Sequence, residues 1–308
     1  MEDRKEIDEK LFRQLERKNS QQYTAKYQNV WVSILKELKA NKIAIICLVL
    51  LMILAIAVLL APLSPYDPYA LDATQRLQGI SKAHWFGTDE YGRDYFTRTL
   101  YGGRVSLLVG FMSMIMTIVI GTLIGVFSGY VGGKIDTLLM SFTDIFLALP
   151  SMLLMVILNT FLKPGLSTLI VVLSLFSWAS VARITRAETM SLKERDFVVA
   201  AKNLGASNCR IIFVHIIPNI VGPVIVAASL SVASAILTES SLSFLGLGVQ
   251  IPMASWGSML QAAQTYILDY PLLAIFPGVM ILITVLSFNL LGDVLRNALE
   301  PKICLLYT

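Results

Sequence analysis

The chain offers few side chains that can do chemistry. Among its 308 residues are two histidines, His84 and His215, and three cysteines, Cys47, Cys209 and Cys304. A zinc or haem site needs several such ligands converging, so no multi-histidine metal or haem centre is expected within this chain. Cys47 lies in an apolar block and the other two flank such blocks, which implies no disulfide framework. G-x-S-x-G, H-E-x-x-H and C-x-x-C patterns are absent. "GYVGGKID" at 129–136 shares glycines and a lysine with phosphate loops. It lacks their spacing and the Ser/Thr that binds magnesium, so it reads as a tight turn between helices. Two carboxylates remain, Glu239 in "TESSLSF" and Asp144 in "TDIF", both in apolar surroundings. An ionisable group at membrane depth must face a partner or water, which makes Glu239 a candidate for lining a pathway and Asp144 a weaker one. No pair of such groups converges, which argues against an intramembrane enzyme, and no nucleotide site of the chain's own is expected.

The elements that must position these groups are set by a lipid solvent. Hydrophobic residues make up 56% of the chain, charged residues 15%, and the mean hydropathy is +0.68. A soluble domain is nearer a quarter charged. About 20 apolar residues span a bilayer. Six segments qualify: Ile43–Ala61, Val105–Tyr130, Leu138–Phe161, Leu166–Ile184, Ile220–Phe244 and Leu272–Leu291. The first is read as a retained helix rather than a signal peptide, because 42 largely charged residues precede it. The expected fold is therefore an all-α membrane bundle of six transmembrane helices. Its parts are a cytoplasmic amphipathic segment at 1–42, a first span at 43–61, an extracytoplasmic loop at 62–104, a core of five spans at 105–293 and a tail at 294–308.

Orientation follows the Lys/Arg bias. Residues 1–42 carry ten basic residues and 182–219 carry six, whereas 246–271 carry none. This places both termini and the 186–219 loop in the cytoplasm, with 62–104 and 246–271 outside. Gly121, Gly125 and Gly129 recur every four residues on one face of the second span and permit close helix approach. Pro150 falls inside the third span, where it should kink the helix. Asn159 and Asn289 read as interhelical hydrogen-bond partners. "EIDEKLFRQLERK" at 6–18 reads as a solvated or interfacial helix.

The longest polar interruption of the second half is "FVVAAKNLGASNCRIIFVHIIPN", Phe197–Asn219. Phe197, Ala201 and Leu204 fall at i, i+4 and i+7, with Ala200 one turn from Leu204, which makes one apolar face of a short helix. Gly205 supplies either a left-handed exit or a close approach of another segment. Pro218 sits where a membrane helix can begin without losing a bond. A short helix is marginal in water, so its apolar face must dock on lipid, on the bundle or in a groove of another protein. The outer segment "HWFGTDEYGRDYFTRTLYGGRVSLLVG", His84–Gly110, reads either as an interfacial stretch with aromatic anchors or as a contact surface for an outside partner.

These segments together resemble the permeases of ABC importers. "VVAAKNLGASNCRIIFVHIIPN" is similar to their cytoplasmic loop, written E-A-A, three residues, G, nine residues, I-x-L-P. Val199 stands for the glutamate and His215 for the first isoleucine. "HWFGTDEYGRDYFTRTLYGGRVSL", "ESSLSFLGLGVQIPMASWG" at 239–257 and "NLLGDVLRNALEP" at 289–301 resemble the peptide and nickel branch. The resemblance covers roughly residues 35–302. It implies a type I importer bundle in a bacterial inner membrane, forming half of a pore. The implied partners are a homologous second permease, two cytoplasmic ATPases that hold ATP and magnesium, and an extracytoplasmic binding protein. No nucleic acid is implied. The loop would form a coupling helix seated in a groove of the ATPase, with Ala200, Ala201, Gly205 and Pro218 carried over from the motif and Phe197 and Leu204 added by periodicity. The expected cargo is an oligopeptide or dipeptide, with glutathione, nickel or a metal–chelator complex as alternatives. An ATPase-independent channel or a signalling protein is the alternative from another class.

Overall fold

The computed structural model describes residues 30–299. The amphipathic segment expected at 6–18 and the tail beyond 299 lie outside the described residues. Among the described residues the structure is helical, with one isolated bridge between Thr88 and Asp94.

Helix α1 (Val30–Ala40) leads into the first span, α2 (Lys42–Leu59). The two are separate because Asn41 leaves the helical region and its Oδ1 accepts the N–H groups of Ile43 and Ala44 at 3.1 and 3.2 Å. Helix α3 (Tyr95–Val131) starts ten residues before the apolar run. Asp94 is its N-cap, with Oδ2 accepting the Thr97 N–H at 2.8 Å, so the polar sequence around it is helical too. With 37 residues α3 is about 55 Å long, longer than a hydrocarbon layer of about 30 Å.

Gly132 and Gly133, at φ +72° and +60°, turn the chain sharply into α4 (Gly133–Ala148). This is the turn expected at 129–136. The third span is not a kinked helix. It is two pieces, α4 and α5 (Ser151–Phe161), meeting at 83°. Leu149 is extended, as the residue before a proline prefers, and Pro150 then caps α5. Five helices are long and apolar enough to cross a membrane, and the bent pair makes six.

The long α6 (Leu166–Lys193) packs along α3 over the glycine face. Short α7 (Asp196–Asn203) follows, and Gly205 at φ +82° reverses the chain. The next helical path begins at Asn208, passes through a π-helical stretch at Ile211–Ile216 and continues as α8 (Ile217–Phe244). Pro218 takes the second position of α8, where an α-helix tolerates its missing donor, and it follows the wider π turn ten residues into the continuous helical path. A small α9 (Trp256–Ala263) and the last span α10 (Leu272–Leu299) complete the bundle. Helices α3, α6, α8 and α10 form its centre, and α2 lies at its edge with most of its apolar side chains exposed, as lipid allows.

Candidate functional site

At the end of the bundle where α3 stops, α7 lies across the helix termini. One side of it is seated by Val198, which is 2% exposed and packs with Val126, Ile211, Ile216 and Ile220. Ala201, one turn on, is half-buried. The other side carries Phe197, Ala200 and Leu204, all exposed, with Leu204 at 88%. The expected face of Phe197, Ala201 and Leu204 is thus divided: Ala201 turns toward the bundle and the two large residues turn away. The described residues give Phe197 only a tilted ring contact with His215, at 6.2 Å. Gly205 and Pro218 are exposed beside this face. A Cβ added at Gly205 would meet nothing within 4 Å, so the glycine is required by its backbone angle alone.

What surrounds α7 is stiff. Arg186 on α6 grips Asp136 on α4 in bidentate fashion, Nε to Oδ1 at 2.5 Å and an NH2 group to Oδ2 at 2.6 Å. The Ser128 hydroxyl on α3 donates to the same carboxylate at 2.5 Å. Lys193 Nζ donates to the Tyr130 carbonyl at 2.6 Å, and the Tyr130 hydroxyl donates to Asn208 Oδ1 at 2.8 Å. The ends of α3, α4 and α6 and the start of the α8 path are therefore bound to one another around α7. The Asp136–Arg186 pair is partly buried, so Asp136→Asn and Arg186→Gln should couple by about 1–3 kcal/mol in a double-mutant cycle read by denaturation of the purified protein. Asp144, by contrast, makes an exposed pair with Arg183 at 2.6 Å and contributes little.

At the opposite end, Glu239 is fully buried. Its carboxylate accepts the Ser243 hydroxyl at 2.6 Å and the Ser106 hydroxyl at 3.0 Å, while the Trp256 N–H donates to Ser106 Oγ at 3.2 Å. Ser255, the N-cap of α9, reaches Ser243 Oγ at 3.3 Å. Glu239 thus joins α3, α8 and α9 in a closed cluster and lines neither of the two larger cavities between the helices. Glu239→Gln keeps one acceptor and replaces the other with a donor that a rotated serine hydroxyl can accept, so it should accumulate normally. Glu239→Ala should cost about 2–3 kcal/mol by leaving buried hydroxyls without it, read as lost folded protein in the membrane fraction. Asn159 does not bridge helices: its Nδ2 donates to the Met155 carbonyl one turn earlier, at 2.9 Å.

The outer segment is mostly internal. Asp89, 1% exposed, accepts from Arg93 Nε at 2.7 Å and pairs with Arg98 Nε at 3.2 Å. His84 lies between Asp94 Oδ1 and Gln75 Oε1, both at 2.8 Å. Its acids and arginines therefore fold the loop onto α3, and only side chains such as Trp85 and Tyr91 face outward. Composition alone missed this network, since acids and arginines in a turn-rich segment look the same whether paired or solvated. Burial raises the Glu90 carboxyl above its usual range.

Residues 121–304 match the family model described as binding-protein-dependent transport system inner membrane component. Residues 29–79 match the N-terminal transmembrane domain of oligopeptide transport permease C. The chain is 43% identical to the dipeptide transport system permease protein DppC of Alkalihalophilus pseudofirmus over 91% of this chain and 92% of that one. It is 43% identical to the oligopeptide transport system permease protein OppC of Bacillus subtilis over 72% and 73%. It is 41% identical to the glutathione transport system permease protein GsiD of Pectobacterium atrosepticum over 73% and 75%. Among solved structures, an inward-facing form of the MetNI methionine ABC transporter superimposes with a TM-score of 0.53 at 21% identity, over 65% of this chain and 96% of that one. That likeness is one of fold.

Proposed function

This chain belongs to the family of binding-protein-dependent transport system inner membrane components, and we propose that it forms half of the pathway by which such an importer moves peptides. It is a permease subunit and not itself the catalyst. The finer assignment is that α7 is the coupling helix, on the cytoplasmic side, and that two ATPases, a homologous permease and an external binding protein complete the machine.

One observation carries this reading: a short helix anchored by Val198 presents Ala200, Leu204 and Phe197 outward, with Leu204 88% exposed and Phe197 held only by a tilted ring contact with His215. An apolar helix face of this kind is suited to a groove on another protein. Closure of an ATPase dimer would move α7, and the braced spans would rock with it. ATP and magnesium then belong to the partners. The cargo is assigned as oligopeptide or dipeptide, supported by the permeases named above, with glutathione as the second reading because GsiD is among the relatives.

The test is purification from native membranes followed by reconstitution. The expected result is co-purification with nucleotide-binding subunits and peptide uptake that stops when ATP is withdrawn. A chain that purifies alone and transports without ATP would be a channel. Binding of peptides, glutathione and chelated nickel to the receptor protein separates the cargo readings.

A further inference from the structure

Asp144 on α4 and Arg183 on α6 form an ion pair at 2.6 Å in which both side chains stay more than half exposed, at 60% and 56%. Both lie inside the apolar runs 138–161 and 166–184. Lipid does not accept exposed charge at such a depth, so the pair must face water or protein.

The neighbouring residues favour water. On α4, Thr137, Ser141, Asp144 and Ala148 follow at i, i+4, i+7 and i+11, and all four are exposed. That flank carries no large apolar side chain. The flank one residue on, Leu138, Phe142 and Ile145, is also exposed and is wholly apolar. One helix inside an apolar run thus shows one side suited to lipid and one suited to water. On α6 the exposed residues beside Arg183 are Ser180, one turn before it, and Ala187, one turn after it. Ser180 and Ile184 line a cavity of about 380 Å3 between α3, α6 and α8, as do Phe146 and Leu147 near the end of α4. The pair therefore stands at the edge of that cavity, on the side toward the start of α4 and the end of α6, where α7 lies.

We infer that Asp144 and Arg183 line the α7 end of the pathway and take the charged ends of a passing peptide, Asp144 its ammonium group and Arg183 its carboxylate. The inference rests on the reading of the chain as a peptide permease. Every unblocked peptide carries one of each charge at its ends, whatever its side chains. A guanidinium matches a carboxylate with parallel donors. Among the described residues Arg183 spends only one hydrogen bond, from a terminal nitrogen to Asp144 Oδ1, so its other donors and Asp144 Oδ2 remain available. An exposed pair is worth only about 0–1 kcal/mol, so a peptide end can replace either partner at small cost and leave as readily. Arg186 and Asp136, one turn nearer α7, show the contrast: their bidentate pair also holds the Ser128 hydroxyl and is a structural tie.

The experiment uses the full transporter in nanodiscs without ATP, and trialanine as probe. Cys209→Ser and Cys304→Ser clear the background. Ser141→Cys or Leu138→Cys is then labelled with a membrane-impermeant maleimide, read on this chain by mass. Water along the polar flank predicts that Ser141→Cys reacts, that Leu138→Cys does not, and that trialanine protects Ser141→Cys. Adding Arg183→Gln should raise the trialanine concentration for half protection about tenfold, the loss of one hydrogen bond between charged groups, whereas Arg183→Lys keeps most of the protection. Trialanine amide, which lacks the carboxylate, should protect equally with and without Arg183→Gln. Ser141→Cys left unlabelled, or labelled no faster than Leu138→Cys, overturns the site and leaves the permease reading intact. Labelling without protection, protection by trialanine unchanged in Arg183→Gln, or a loss shared by trialanine amide overturns it too. So does an Arg183→Gln protein that fails to accumulate, because the pair is then a structural tie. A transporter that hydrolyses ATP in liposomes but moves no trialanine overturns the peptide reading, and the site with it.

Discussion

Leu204→Asp is expected to abolish ATP-driven uptake, by a hundredfold or more, in a permease that still folds and reaches the membrane. Leu204 is 88% exposed and touches little of its own chain, so removing it costs the subunit almost nothing. Surface changes of this kind stay within about 0.5 kcal/mol of wild type. If α7 sits in an ATPase groove, the same change places an unpaired carboxylate in a desolvated apolar contact. Losing an anchor and burying a charge together cost about 3–4 kcal/mol of association or more, enough for a loss of that size. Phe197→Asp should behave alike. Val198→Asp should not: that side chain faces the bundle, so the variant should fail to accumulate. The measurements are membrane yield, co-purification of ATPase and uptake. Full uptake in Leu204→Asp would sink the assignment of α7 as the lever. The structure also changes which test is decisive. A side chain at Gly205 finds open space, and its substitution acts through a strained φ of +82°, so a loss there would confuse backbone strain with lost contact.

Gly125→Leu is expected to remove the folded permease altogether. A Cβ at Gly125 would fall on Thr185 Oγ1 and the Ala182 carbonyl oxygen, both on α6. At Gly121 it would lie 2.7 Å from the Trp178 carbonyl oxygen and at Gly129 2.8 Å from that of Arg186. The three carbonyl oxygens are backbone atoms of a 28-residue helix and cannot swing aside as a side-chain tip can. The helices must separate, and the contacts that depend on their closeness go with them. One of these is the Thr185 hydroxyl bond to the Gly121 carbonyl at 3.2 Å. In a membrane close packing and such bonds are what associate helices, since lipid supplies no hydrophobic drive between them. The destabilisation is on the order of 4 kcal/mol or more, in the class of exceptional substitutions. Gly165→Ala is the control: its φ of 171° is extended and an added Cβ meets nothing within 4 Å. Proteolysis and membrane yield would separate the two. A stable, transporting Gly125→Leu protein would mean that α3 and α6 do not meet at this face.

How much was legible in the sequence differs from residue to residue. The four-residue spacing of Gly121, Gly125 and Gly129 announced a close helix contact, because spacing fixes a face. It could not say that α6 was the partner. Hydropathy placed five membrane-length helices and the apolar run that the structure bends into α4 and α5, because a lipid solvent demands long apolar runs whatever the fold. It placed the start of α3 ten residues late, because Asp94 caps a polar stretch that becomes helical only when Asp89, Arg93 and Arg98 neutralise one another against it. Pro150 read as a kink. Pro150 also makes Leu149 extended, a local effect, but the 83° angle that results between α4 and α5 is larger than a proline kink announces.

The short polar helix after α6 shows the division most clearly. Sequence determined that it exists, that its face is apolar and that Gly205 ends it, since helical period and glycine's left-handed freedom are local properties. Which side of it is buried was decided by tertiary structure alone. Val198 turns inward because Val126 of α3 meets Ile211 and Ile216, which the chain reversal at Gly205 brings back, leaving Phe197 and Leu204 outward. The same holds for Glu239, a carboxylate in an apolar run by sequence. Ser106, arriving from 133 residues away to meet Ser243 of the same helix and the Ser255 cap of α9, made it a structural tie rather than an open charge. Period and hydropathy are written into neighbouring residues, whereas burial of a particular side chain depends on contacts among segments a hundred residues apart.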